Sequence, residues 1–346
     1  SILRGAFEGA TGAPDTLRTP GYPALLALLH LVSSDPRWAA FVNIMLDAGT
    51  AALIASTAAI LAPGPWSWTA GLLYAFEPVV AAHATLILSE APFNLLMTLA
   101  LHCLVRAGTA ARRNWSMLAG FALACAALTR PIAVYLWMPL GLVLASRWGP
   151  RGTKSLLLFV LAATVPTGLW CARNAALHGS FSFTSISGVN FLFYEAAAVK
   201  SVAEAIPVAQ AADELARDFK REHPDPILNP FEESRLRRAA ARGYLLAHPT
   251  AAMRAHAASA VKLLAGPGID LIAEELEPGR PMPGSDLPRG EVRAGGTRAL
   301  LRERPGLWAL LVFTLGSLAL GYAAAASGAW RLWRGPSRVG ASLILT

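Results

Sequence analysis

The sequence predicts an all-α polytopic membrane protein with a small, mainly helical extracytoplasmic region. Three observations carry that prediction. The 346 residues are 54% hydrophobic and only 15% charged, with a mean hydropathy of +0.44, which leaves a soluble domain of this size short of polar surface. Apolar runs of roughly 17–25 residues, long enough to cross a bilayer, recur along the chain. The turns between them carry short basic clusters: Arg106, Arg112 and Arg113, then Arg147, Arg151 and Lys154, then Arg331, Arg334 and Arg338. Short loops rich in Lys and Arg stay on the cytoplasmic side.

Taken in order, residues 1–20 form a mixed polar lead ending in Arg18-Thr19-Pro20. Gly21 to Val32 is apolar but too short to span, and fits a re-entrant or interfacial helix. Spans are expected at 38–62, 66–84, 90–106, 115–129, 131–146 and 155–172. The turns near 110 and 150 and the tail near 335 then fall inside, and those near 86 and 130 outside. The turn Pro63-Gly64-Pro65 is uncharged and decides nothing. The segment 173–304 lacks a span and is expected to be extracytoplasmic. It begins with Ser180 to Asn190, which reads as loop or short strand. Amphipathic patches at 199–222, 231–247 and 250–265 follow, suited to lying on a membrane or on the protein below. A stretch rich in Pro, Gly and charge, 270–300, reads as a flexible linker. A final span at 306–330 leads into the basic tail. The expected organisation is a transmembrane catalytic core, 1–172, an extracytoplasmic region, 173–304, and a C-terminal span with cytoplasmic tail, 305–346.

Composition also excludes classes. The net charge of +8 sits largely at the edges of apolar spans, and no aromatic-basic RNA motif accompanies it, so nucleic acid is not an expected partner. Cys103, Cys125 and Cys171 lie inside apolar spans without metal or disulfide spacing. There is no repeat of 20–50 residues and no inverted pair of broken helices. The chain starts at Ser1 without a signal peptide, and Leu343 to Thr346 reads as the start of another apolar segment, so a longer parent chain is expected.

Polar groups at membrane depth cost roughly 2.5–3.5 kcal/mol each on insertion scales, so each needs a reason. Arg18-Thr19-Pro20-Gly21-Tyr22-Pro23 has two prolines that hold the backbone extended before an apolar re-entry. Its Arg and Tyr suit an interfacial anchor as well as a ligand site. Ser89-Glu90-Ala91-Pro92 opens a span, where a carboxylate is favoured by the helix dipole whether or not it is catalytic. Glu77 and His83 precede it, and Glu77 is expected to face a partner or cavity rather than lipid. Leu128-Thr129-Arg130-Pro131 puts an Arg between two spans against the charge trend. Its planar fork suits a phosphate, or an ion pair with Glu77 or Glu90. Arg173-Asn174 leaves a span on the same side, either as a second anion ligand or as an anchor, and Asp47 lies within the first full span.

In this order and topology, the Arg18–Pro23 motif, Ser89-Glu90, Leu128–Pro131 and Arg173-Asn174 resemble the GT-C glycosyltransferases. They are most similar to the family 39 group of polyprenyl-phosphate-mannose protein mannosyltransferases, which includes the lipid A aminoarabinose transferase and related envelope enzymes. The resemblance covers roughly residues 1–260, and His248-Pro249 before an amphipathic helix looks like the family's outer domain. It implies a GT-C-like helix bundle in a bacterial inner membrane with its active site on the extracytoplasmic face. It implies inverting transfer of a sugar from a polyprenyl-phosphate donor to a hydroxyl of a lipid, glycan or protein acceptor.

By position, Glu90 is similar to the family's second-loop carboxylate and takes the catalytic role. Arg18 and Tyr22 match the entry motif, and Arg130 and Arg173 are phosphate ligands. Glu77, His83 and Asn174 complete the expected substrate-binding set. The family's first-loop carboxylate has no counterpart here; Asp15 and Glu8 are the carboxylates before Arg18, and Asp15 sits too close to the motif to match. A chain without that group is expected to be inactive by itself. No organic cofactor is implied. Some GT-C enzymes use a divalent cation, and this sequence offers no clear ligand set for one. A lipid-linked sugar flippase is the alternative, with the same arginines on the phosphate and no transfer; a structural membrane subunit is a third reading, with polar groups serving helix packing.

Overall fold

The structure is a computed structural model, and it describes residues 7, 14–64, 67–109, 112–265 and scattered positions between 308 and 319. The described residues are helical, with no strand among them. In chain order the helices are α1 Gly21–His30, α2 Pro36–Leu61, α3 Ser67–Ala75, α4 Pro78–Thr85, α5 Glu90–Thr109, α6 Arg112–Thr129, α7 Trp137–Trp148 and α8 Thr153–His178. They continue as α9 Ile186–Val189, α10 Ala197–Glu204, α11 Val208–Glu222, α12 Pro230–Ala247 and α13 Pro249–Ala265. Two compact units emerge: the first contains Thr19–Trp170 and the described positions from Ala309 on, the second residues 14–18 and the described positions within Cys171–Trp308.

Three described helices are long and apolar enough to cross a membrane: α2, α5 over Glu90–Gly108, and α8. The expected spans at 38–62, 90–106 and 155–172 coincide with them. Two other expected spans are corrected. The run 66–84 is two helices of 9 and 8 residues, neither able to cross. They part at Glu77-Pro78, where Glu77 Oε2 accepts the N–H of Val80 at 2.8 Å and Pro78 opens α4. A capping carboxylate followed by proline starts a helix rather than continuing one. The run 131–146 is a 3₁₀ turn, Pro131–Tyr135, followed by the 12-residue α7. The run 115–129 is one helix, the 18-residue α6, which opens with Arg112 and Arg113 and is not among the three. The expected span at 306–330, the linker at 270–300 and the third basic cluster lie outside the described residues, apart from isolated helical positions between 308 and 319.

In the first unit α5 and α6 are antiparallel neighbours. At one end His102 and Arg106 meet the ring of Trp115, with centroid distances of 6.3 and 5.7 Å. Arg112 lies over Trp148 at 5.4 Å, so the turns after α5 and α7 share that end. The other end of the pair carries Glu90 and Arg130. About 16 residues of helix separate Glu90 from Arg106, or roughly 24 Å of rise. Gly120 lets α6 and α8 touch through their backbones: a Cβ there would sit 2.2 Å from the Phe159 carbonyl oxygen. Gly71 does the same for α3 against Ala51 of α2.

The second unit has its own core. Leu192, Ala196, Ala197, Ala211, Leu215, Phe219 and Ala241 pack together from α10, α11, α12 and the π-turn Asn190–Ala196. The stretch 180–190, read as loop or short strand, is irregular to Ser185 and helical from Ile186. The patch 199–222 is two helices rather than one, broken at Ala205, whose φ is +55°, and Pro207, which precedes α11. Gly188 lies against Ser234 of α12, where a Cβ would come within 2.5 Å of its Cα.

Candidate active site

The polar motifs of the first unit converge on the Glu90 end of α5. Glu90 opens α5, where the N-terminal dipole favours a carboxylate. Pro131 forces Arg130 into an extended conformation (φ −137°, ψ 123°), ending α6 and releasing the Arg130 side chain. Arg130 Nη1 and Glu90 Oε1 form an ion pair at 2.5 Å, and the guanidinium stands 5.8 Å from the Phe93 ring. Both side chains remain partly open, at 39% and 29% exposure. One of the five guanidinium N–H donors meets Glu90 here, and the planar fork suits two oxygens at once.

The Arg18–Pro23 motif delivers α1 to the same place. Thr19 Oγ1 donates to the Thr129 carbonyl at 3.1 Å, and Thr129 Oγ1 donates back to Cys125 at 2.8 Å. A Cβ on Gly21 would lie 2.7 Å from both the Leu128 carbonyl oxygen and Thr129 Oγ1. Only glycine permits that approach, so the Gly of one motif seats directly on the Leu-Thr of the other. Tyr22 follows, within electrostatic reach of Glu90, and its hydroxyl accepts from Asn43 Nδ2 at 3.4 Å.

Asn43 was not singled out by the sequence reasoning. It is 1% exposed within α2, and its Nδ2 also donates to the carbonyls of Leu86 (2.8 Å) and Leu88 (3.3 Å), just before Ser89-Glu90. One turn further along α2, Asp47 Oδ1 accepts from the Tyr74 hydroxyl at 2.7 Å, and that hydroxyl accepts from Asn94 Nδ2 at 3.2 Å. Asn94 lies one turn below Glu90 on α5. Asn43, Asp47 and Thr50 are all buried on one face of α2. The signal for this face was present as polar residues at i, i+4 and i+7 inside an apolar run.

The remaining expected residues are placed as follows. Glu77 caps α4, as described above, so its carboxylate is directed to backbone N–H. His83 sits in the last turn of α4, within electrostatic reach of Asp47. In the second unit, Asp15 Oδ1 accepts the backbone N–H of Leu17 and Arg18, and the Arg18 side chain is exposed. Arg173 lies within electrostatic reach of Asp15 and donates from Nη1 to Asn174 Oδ1 at 2.9 Å. Asn174 is fully buried, and its Nδ2 donates to the carbonyls of Ser182 and Phe183 at 2.8 and 3.2 Å. It is thus committed to holding the loop after α8. No group of three or more His, Cys, Asp or Glu side chains able to hold a metal occurs among the described residues.

The second unit carries its own charge cluster. Lys200 is nearly buried and pairs with Glu204 and Glu214 at 3.1 and 3.2 Å. Burial pulls its ammonium down, but hydrogen bonds and charge from the two carboxylates outweigh this and leave it raised. Burial, with the hydrogen bond from its hydroxyl to Glu204, pushes Tyr244 up to about 12.

No curated protein and no solved structure matches the chain. The family model of the dolichyl-phosphate-mannose-protein mannosyltransferases matches residues 32–197. The matched stretch holds Glu77, His83, Glu90, Arg130, Arg173 and Asn174, and begins after Arg18 and Tyr22. With three helices able to cross a membrane and a match to this family's model over residues 32–197, the chain is a membrane glycosyltransferase similar to the GT-C enzymes that work from a lipid-linked sugar donor.

Proposed function

We propose that the protein transfers a sugar, by inversion, from a polyprenyl-phosphate donor to an acceptor hydroxyl on the extracytoplasmic face of a bacterial plasma membrane. Glu90 accepts the proton of the acceptor hydroxyl as its oxygen attacks the anomeric carbon. The bond from that carbon to the phosphate oxygen breaks, and the departing polyprenyl phosphate is held by Arg130. Tyr22 lines the same end. Arg18 keeps the substrate-binding role, and Arg173 the phosphate-ligand role, that their sequence context proposes.

The observation that carries this reading is the Glu90–Arg130 ion pair, 40 residues apart in sequence, at the end of α5 and α6 where the Arg18–Pro23 motif docks. The pair sets a carboxylate next to a fork with donors to spare for a phosphate. The outward orientation rests on the two basic clusters at the opposite end of the helices. A flippase would be favoured by an inverted pair of broken helices, and the sequence shows none.

The test is release of the polyprenyl-type lipid phosphate, here dolichyl phosphate, from dolichyl-phosphate mannose by the full-length protein in lipid nanodiscs, with water or an added hydroxyl-bearing peptide taking up the mannosyl group. Glu90→Gln and Arg130→Ala should each lower the rate by on the order of 10²–10³-fold. Wild-type turnover by both variants removes the assigned roles.

A further inference from the structure

Resting on that reading, we infer that Asn43 is a positioning residue that sets the place of Glu90. A primary amide at 1% exposure inside a membrane helix needs partners, because an unpaired polar group there costs about 1–3 kcal/mol. The partners of Asn43 belong to the site rather than to its own helix. Its Nδ2 faces the carbonyls of Leu86 and Leu88, which flank Ile87 in the short link between α4 and α5. The residue after that link's last leucine is Ser89, whose carbonyl accepts the N–H of Phe93, and Glu90 follows at once. The third acceptor is the hydroxyl of Tyr22.

One amide therefore fastens three pieces of chain: α2, the link that sets the start of α5, and the first turn of α1. The link has little else to hold it. Ile87 and Leu88 are exposed, and Leu86 contributes a single backbone N–H bond, to His83. Where the link goes, the N-terminus of α5 goes, and with it the carboxylate that meets Arg130. Misplacement of a reacting group by about 1 Å can cost on the order of 10²-fold in rate. Asn43 touches neither Glu90 nor Arg130, so its effect on the chemistry passes through the backbone it holds.

The experiment uses full-length protein in nanodiscs, with dolichyl-phosphate mannose as the probe and polyprenyl phosphate release as the readout. Asn43→Ala should lower kcat by about 10²-fold while the KM for the donor changes little, because the phosphate ligands are untouched. In a Glu90→Gln background the same substitution should cause no further loss, since the group it positions is already gone. Additive losses in the double variant, or a loss confined to KM, overturn the inference. Asn43→Asp is isosteric and replaces the donor with a group that repels the Leu86 and Leu88 carbonyls. It gives the same two readouts if Asn43→Ala does not fold, and full activity in it also overturns the inference. A wild-type protein that releases no polyprenyl phosphate speaks against the parent reading alone.

Discussion

The two units place most of their charge differently. In the second unit, beside the longer-range Lys200–Glu214 and Glu195–His256 pairs, most ion pairs among the described residues are local: Glu232 with Arg235, Glu233 with Arg237 and Asp218 with Arg221, each three or four residues apart on one helix. Pairs of that kind contribute little and decorate a helix that would form anyway. In the first unit the ion pair among the described residues joins two helix ends 40 positions apart, and its polar neighbours are bound across helices rather than along them. Local pairs follow from helix spacing, whereas a long-range pair at a membrane helix end must be built by the fold, which is why the chemistry is assigned there.

Exchanging the partners is the strongest way to break that contrast. Glu90→Arg combined with Arg130→Glu keeps an ion pair between α5 and α6 but puts the carboxylate and the fork in each other's places. Folding should survive, and polyprenyl phosphate release should fall by on the order of 10²–10³-fold. Glu232→Arg combined with Arg235→Glu in α12 should change neither activity nor melting temperature. Equal tolerance of both exchanges would reduce the Glu90–Arg130 pair to a surface clasp.

A smaller effect tests how the first unit is packed. Gly120→Ala forces a methyl into the Phe159 carbonyl on α8 and should cost about 1–3 kcal/mol, read as a lower melting temperature in detergent. Activity of the protein that remains folded should be unchanged, because the contact is remote from Glu90 along α6.

The mildest test concerns the second unit and depends on pH. Lys200 is raised above its ordinary value of 10.5, so its contribution is complete below that pH and fades as pH climbs through the higher folded value. Glu214 is lowered, first by its hydrogen bond from Gln210 and then by Lys200, so its contribution holds above 4.5 and fades as pH falls through the lower folded value. Lys200→Met should lower the melting temperature by a few degrees between those limits, followed by far-UV circular dichroism. The gap should close in strong alkali; a gap independent of pH would assign the loss to packing.

Much of this arrangement was legible in the sequence. Long apolar runs gave α2, α5 and α8 because length and hydropathy suffice when a helix faces lipid. Arg130-Pro131 and Ser89-Glu90 stood out because charge is scarce and proline ends a helix. The run 66–84 misled because hydropathy averages over Glu77-Pro78, although a cap followed by proline was there to be read. Asn43 was passed over because a lone amide in an apolar run carries no charge, and its meaning depends on which carbonyls face it across the fold. The hold of Asn174 on the loop eight residues later was likewise hidden, because nothing in its sequence neighbourhood shows which carbonyls its amide meets.

The seat of α1 on α6 has a consequence for the order of assembly. Pro131 has no N–H to give the Ala127 carbonyl, and two residues on the Thr129 carbonyl takes a hydroxyl donor from outside the helix. The donor, Thr19, comes from 110 positions upstream and must already stand waiting when the ribosome delivers α6. Until the later helix arrives, the bond that ties the entry motif to the residue before Arg130 cannot close.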